Sequence, residues 1–286
     1  MSGWPVKIAR RLLLLGALTL VGGLLGATLV RFAPGYGMDE SELDPRLSQS
    51  SREAIQNQHR LHSGLLAYYG HFLLRAAQGD FGRSEWLDRP IAGLLKERFA
   101  LTLRAVILGV LTAWTAAALL SVAALASRGW VVDFGGTLAS GFLIAVPWAV
   151  VALLAMYFRA PVFVAIGAVT FPKIFRYMRN LLAHAYAQPY VLAARARGIS
   201  QGRILLRHVI PLAAAPLAAL LGVSVSLAFG AAIPIEALCD APGIGQLAWL
   251  AALNRDLPLI MNLTLVVTLI TVAANSAADL LQERAQ

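Results

Sequence analysis

Apolar positions in this chain fall into long uninterrupted runs, not into the alternation of a half-buried strand or the one-sided stripe of a soluble helix. A helix that crosses a bilayer takes about 20 mostly apolar residues. Runs of that kind lie at 12–30, 105–126, 134–158, 160–172 (extended toward 182), 209–233 and 257–281. The fourth is short, about 20 Å as a helix, and Lys173, Arg176 and Arg179 follow it at once.

Charge placement argues that the short run also crosses. Lys7, Arg10 and Arg11 precede the first run, and loops rich in Lys and Arg stay in the cytoplasm. Between Lys173 and Arg207 there are seven basic residues and no acidic one, so this segment belongs on the same side. An even number of spans must separate the two segments. The fourth run therefore crosses, its Lys and Arg snorkelling to the inner interface. The expected fold is an all-α integral membrane protein of six transmembrane helices with both termini in the cytoplasm. A signal peptide is the rival reading of the first run. Its 19 apolar residues and the lack of a clear A-x-A site favour an uncleaved span.

Three regions follow: a cytoplasmic N-terminus and first span over 1–31, an external loop over 32–99, and a core of five spans over 100–286. In the loop, Ile55, Leu65, Leu66, Tyr69, Phe72, Leu73 and Ala76 share one helical face, Gly79 is placed to end that helix, and Pro90 to open another short one, "PIAGLLKERF". The loop reads as a small, partly helical external cap. Gly22 and Gly26 have the spacing of a close helix contact, which chance in a Gly-rich run explains equally well.

Composition agrees: 58% of residues are hydrophobic and 14% charged, with mean hydropathy +0.68, whereas soluble domains average about 25% charged. The net charge of +9 is explained by cytoplasmic loops and implies no nucleic acid. One cysteine, Cys239, excludes an internal disulfide framework. His59, His62, His71, His184 and His208 offer no metal spacing with a carboxylate. There is no GxxxxGK[ST] phosphate loop and no GxSxG nucleophile. Enzyme chemistry has little support, which leaves a transport subunit, a channel, a membrane scaffold or a self-sufficient secondary transporter. The lack of an intramembrane acidic relay counts against the last.

The stretch "YVLAARARGISQGRILLRHVIP", 190–211, lies between two long apolar runs and carries no acidic residue. Pro189 can open a helix, Gly198 can stop it, and Ser200 can cap the next one. Physics leaves two readings open: a helix–turn–helix that docks a partner, or amphipathic helices resting on anionic lipid.

This stretch resembles the cytoplasmic coupling motif of ABC importer permeases. Ala193, Ala194 and Gly198 match that motif, and Leu192 stands where many members carry Glu. "ARARG" and "RILLRHVI" are most similar to the dipeptide, oligopeptide and nickel permeases. "RRLLLL…LVRFAPG", "GDFGRS" at 79–84 and the segment 236–266 resemble the same family in the same order. It departs in "GYGMDESELDPR" after "APG" and in the near absence of a link between the third and fourth runs.

The resemblance implies a permease subunit of an ATP-driven importer in a bacterial or archaeal cytoplasmic membrane. It implies as partners a second homologous permease, two ATP-binding subunits, an external substrate-binding protein and membrane lipid. ATP and Mg would be held by the ATPases and none by this chain. Ala193, Ala194, Arg195, Arg197, Gly198, Ile199, Ser200, Gln201 and Arg203 would form the ATPase-coupling site. Gly198 would lie where backbones come closest.

Polar residues inside the membrane are candidates for the substrate pathway: Ser224, Ser226, Glu236, Asn262 and Asn275. The serines have an equally good local reading as back-bonds to a carbonyl four residues earlier. Glu236, read with Asp240 in a Pro/Gly-rich loop after the fifth run, either meets a positive group of the substrate or pairs with Arg255 at the surface. Asp279 reads as an inner-interface residue. Related permeases carry peptides, nickel, glutathione and other small solutes.

Overall fold

The computed structural model describes residues 78–126 and 130–284, together with residues 16, 17, 20, 21, 24, 28, 70 and 72–76. Most of the first apolar run, the Gly22/Gly26 pair, the polar start of the external loop and most of the expected helix before Gly79 lie outside them. Among the described residues the chain is helical, with one isolated β-bridge, Arg83 to Pro90.

The helices are α1 (Ile91–Ala126), α2 (Trp130–Ala145), α3 (Trp148–Tyr157), α4 (Val162–Tyr186), α5 (Pro189–Ala196), α6 (Gln201–Ile204), α7 (Ile210–Leu238), α8 (Ile244–Leu253) and α9 (Leu257–Arg284). A π-helical stretch, Leu205–Val209, joins α6 to α7. Pro211 explains its place, because it has no N–H to give the carbonyl of residue 207 and its ring crowds that carbonyl. The ladder widens just before it.

Ile91–Leu125 and Gln201–Leu238 are long and apolar enough to cross a membrane. The expected short helix at Pro90 is not separate: it continues unbroken into the second apolar run as a 36-residue helix, since nothing after Ile91 breaks the ladder. The third run is broken. Val131–Ala145 and Trp148–Tyr157 meet at 100° and make one span only if taken together. Pro147 causes this: it disfavours helix at the residue before it and stands extended at ψ 142 ahead of α3. The fourth run is one helix of 25 residues that carries Pro172 inside it. Lys173, Arg176 and Arg179 interrupt its apolar length, which in α1 and α7 is long enough to cross a membrane. In α9 the apolar part covers Leu257–Ala273.

The described chain forms two compact units, residues 1–97 with 248–269, and residues 98–247 with 270–286. In the first, the 79–84 loop is fastened to the start of α9. Asp256 caps that helix, accepting the Leu259 N–H at 3.0 Å, and also accepts from the Ser84 hydroxyl and the Trp86 N–H. The Asn262 amide donates to the Phe81 carbonyl at 3.0 Å. Gly79 does end the preceding helical turn, at φ 82, with the Asp80 N–H returning to the Arg75 carbonyl. The Arg75 guanidinium on Asp80, helped by the Gly82 N–H, holds that carboxyl below the usual carboxylate range.

In the second unit α4 is the hub, packed on α2, α3 and α7. Lipid removes most of the hydrophobic drive for helix association, so close packing and polar bonds must supply it. Gly109 of α1 and Gly167 of α4 provide the first. A Cβ on Gly109 would meet Ile166 at 2.7 Å, and one on Gly167 would meet the Thr112 hydroxyl at 2.6 Å. Asp133 of α2 and Arg179 of α4 provide the second, with Nε to Oδ1 at 2.6 Å. Arg179 thus holds a carboxylate partner instead of snorkelling alone.

Candidate functional site

Residues 189–211 form the expected helix–turn–helix. Pro189 occupies the first turn of α5, where its missing N–H costs nothing. The helix closes on Gly198 at φ 75: the Gly198 N–H bonds the Arg195 carbonyl at 2.9 Å and the Ile199 N–H bonds the Ala194 carbonyl at 3.2 Å. This paired closure requires left-handed backbone at Gly198. A Cβ there would touch nothing within 4 Å of the same chain. Within this chain, therefore, backbone conformation and not crowding selects glycine. Ser200 stands at the start of α6, but its hydroxyl caps nothing; only its carbonyl is used, by the Ile204 N–H at 3.0 Å.

The cassette has two faces. Val191, Ala194, Ile204 and Val209 are buried in one core with Met178, Leu182 and Ala185 of α4. The other face is open: Ala193, Arg197, Gly198, Ser200, Gln201 and Arg203 are exposed, as are Leu192 at 58% and Leu206 at 67%. The nine expected site residues therefore divide. Ala194, and in part Ile199, hold the cassette in place. Arg195 is exposed but lies over the Tyr186 ring at 5.5 Å, tying α5 to the end of α4. Burial pushes the Tyr186 phenol up despite that cation. Tyr190 and His208 add a ring contact at 6.3 Å between the two arms. Arg197, Gly198, Gln201 and Arg203, with Ala193, make the open ridge.

The pathway residues do not converge on one constellation. Ser224 is fully buried and its hydroxyl donates to the Leu220 carbonyl at 2.6 Å, the local reading. Ser226 is half-buried and Asn275 exposed. Asn262 is buried, and its amide is occupied by the carbonyls of Phe81 and Pro258.

Glu236 differs most from expectation. α7 continues to Leu238, so Glu236 lies in its last turn, not in a loop, and is only 2% exposed. This removes the surface-pairing alternative. Its carboxylate accepts the Gly245 N–H at 2.8 Å and the Thr102 hydroxyl at 3.1 Å. The Thr102 oxygen accepts the Ile244 N–H at 2.9 Å. One turn earlier on α1, Arg98 donates to the side-chain Oε1 of Gln246 at 2.8 Å, and the Gln246 Nε2 donates to the Asp240 carboxylate at 2.6 Å. Arg98 and Thr102 thus clasp the segment 236–246 against α1. Gly243 and Gly245 fit because the Glu236 carboxyl and the Ile233 backbone occupy the places their Cβ atoms would take.

Thr102, Arg98 and Asp256 were not anticipated. The first two carry no sequence signal, being a polar residue and a cation at the edge of an apolar run. Asp256 does carry one: Asp just before "LPL" is a helix-start signature.

Comparison with known proteins gives a consistent picture. The family model described as binding-protein-dependent transport system inner membrane component matches residues 100–286. The chain is similar to the oligopeptide transport system permease protein AppB of Bacillus subtilis, 26% identical over 293 residues, 90% of this chain and 92% of that one. It is similar to the oligopeptide transport system permease protein OppB of Haemophilus influenzae, 28% identical over 278 residues, 88% and 89%. It is also similar to the glutathione transport system permease protein GsiC of Salmonella typhimurium, 25% identical over 294 residues, 96% and 95%.

Proposed function

The chain belongs to the family of binding-protein-dependent transport system inner membrane components, and we propose that it forms half of a pathway for peptides or a related small solute, coupled to ATPase subunits through residues 190–211. The substrate class is taken from the relatives named for oligopeptide and glutathione transport. The observation that carries the coupling reading is the open ridge of the cassette. Its inner face is locked into the core while Leu192, Leu206 and a set of cations without any acidic neighbour in the segment stay exposed. Such a surface suits an apolar groove with an acidic rim, where Arg pairs with carboxylates.

The two-armed cassette also suits transmission. α5 hangs from α4, and α6 runs through the π stretch into α7, so a pull on the ridge moves two long helices as rigid levers. Closure of a paired ATPase around ATP supplies the differential binding that flips the pathway from one side to the other. ATP and Mg belong to those partners.

Six spans with both termini in the cytoplasm remain the reading of the topology. Two pairings support it. Asp133 at the start of α2 meets Arg179 late in α4, as expected if the third run leaves from the side to which the fourth returns. Thr102 early in α1 meets Glu236 at the end of α7, as expected if both lie toward the external face.

The experiment is copurification of the tagged chain from native membranes in mild detergent, with bound proteins identified by mass. A second permease and ATP-hydrolysing subunits are expected. A chain that emerges alone, with no ATPase, contradicts the reading.

A further inference from the structure

A cavity of about 440 Å³ opens between the end of α2, α4 and α7. Its polar wall comes from one face of α4: Lys173, Arg176, Tyr177 and Asn180 follow the spacing that stacks side chains on one side of a helix. Its opposite wall is apolar, formed by Ile144 of α2 and residues such as Leu220, Val223 and Leu227 of α7. Ser224 also lines it, but its hydroxyl already donates to the Leu220 carbonyl. Asn180 accepts from Arg179, which leaves its amide nitrogen as a donor.

No carboxylate lines this cavity. Asp133 of α2 is occupied by Arg179, the neighbour of Asn180 in the chain. Among the described residues neither Lys173 nor Arg176 has an ion-pair partner. Cations beside an apolar cavity in a membrane helix are unfavourable without a counter-charge. The complement of a cationic wall facing an apolar wall is an anion that carries an acyl chain.

We propose that this cavity is a binding site for one anionic phospholipid, its phosphate held by Lys173, Arg176 and the Asn180 amide and its chain laid along Ile144, Leu220, Val223 and Leu227. The site rests on the chain's place in the membrane, not on the coupling reading. A lipid seated there bridges α4 and α7, the two helices from which the cassette hangs.

The test uses the intact assembly purified in detergent, stripped of lipid by detergent exchange, then offered phosphatidylglycerol or phosphatidylcholine vesicles and re-isolated. Retained lipid is counted by mass spectrometry. Phosphatidylglycerol is expected to be retained, and Lys173→Gln with Arg176→Gln to lower retention by at least about tenfold, since a hydrogen bond to an ionised group is worth that factor or more. Arg104→Gln, an exposed cation outside the cavity, should leave retention unchanged. If the double variant does not assemble, Lys173→Gln alone should still lower retention. Equal retention of both lipids, retention by the cation variants, or equal loss in Arg104→Gln overturns the site. Complete displacement by inorganic phosphate overturns the lipid, because it shows the anion bound without its chain.

Discussion

Gly245→Ala unseats the segment that follows α7 and lowers the thermal midpoint of the purified assembly. The added methyl carbon would fall on the Ile233 carbonyl, with the Ile233 carbon and Cα each at 2.7 Å. That is helix backbone and cannot turn aside as a side chain can. The start of α8 must lift, and with it go the Gly245 N–H on Glu236 and the Ile244 N–H on Thr102. Glu236 is then left buried without its main-chain donor. Overpacking costs about 1–3 kcal/mol and leaving a buried acceptor without its donor about 1–3 kcal/mol. A combined loss of about 3 kcal/mol moves the midpoint down by roughly 6–12 °C in a chain of this size. Gly93→Ala is the control: it lies on α1 with nothing within 4 Å of its Cβ position, and alanine in a helix is neutral or stabilising. Equal midpoints for the two variants would show that the fit around Gly245 is not tight.

Gly198→Arg leaves the protein inserted but weakens the seating of the ATPase and so separates ATP hydrolysis from transport, lowering uptake in vesicles by more than about tenfold if docking loses the 1.4 kcal/mol that such a factor represents. Two effects must be told apart here. A residue other than Gly, Asn or Asp at φ 75 strains the turn by about 1–2 kcal/mol. Only a large one places bulk on the open ridge. Gly198→Asn tolerates left-handed backbone and so tests the ridge with little strain. Gly198→Ala tests strain with little bulk. Coupling should fall in the order Ala, Asn, Arg as the side chain grows. If Ala is as damaging as Arg, glycine serves the turn alone and the ridge is not a docking surface.

Much of this was legible from the chain itself. Long apolar runs and the basic 190–211 segment gave the helical membrane fold and the cassette, because membrane helices and their flanking charges obey rules that act on composition. Gly79 and Gly198 were read as helix stops, and both have positive φ. The same closure recurs at Arg159, Asp240 and Arg255, at φ 52, 50 and 54. There the Ala160, Ala241 and Asp256 N–H groups return to the carbonyls of Ala155, Glu236 and Ala251. No residue type announces those three, since the surroundings impose the conformation. This is why Glu236 was read as a loop residue when α7 in fact carries it into the core. The Pro147 break is legible too, since proline disfavours helix at the residue before it, but run length alone hides it. The clasp of Arg98 and Thr102 on 236–246 was not legible, because it joins residues more than a hundred positions apart in the chain.

The central claim is that residues 190–211 seat an ATPase, and a crosslink tests it most directly. Benzoylphenylalanine placed at Ala193, on the open ridge, is irradiated in native membranes, and so is the same group at Leu119, which is 72% exposed on α1. The account predicts an adduct with an ATP-hydrolysing subunit from position 193 that is lost with Gly198→Arg, and none from position 119. No such adduct from 193, or the same adduct from both positions, would contradict it.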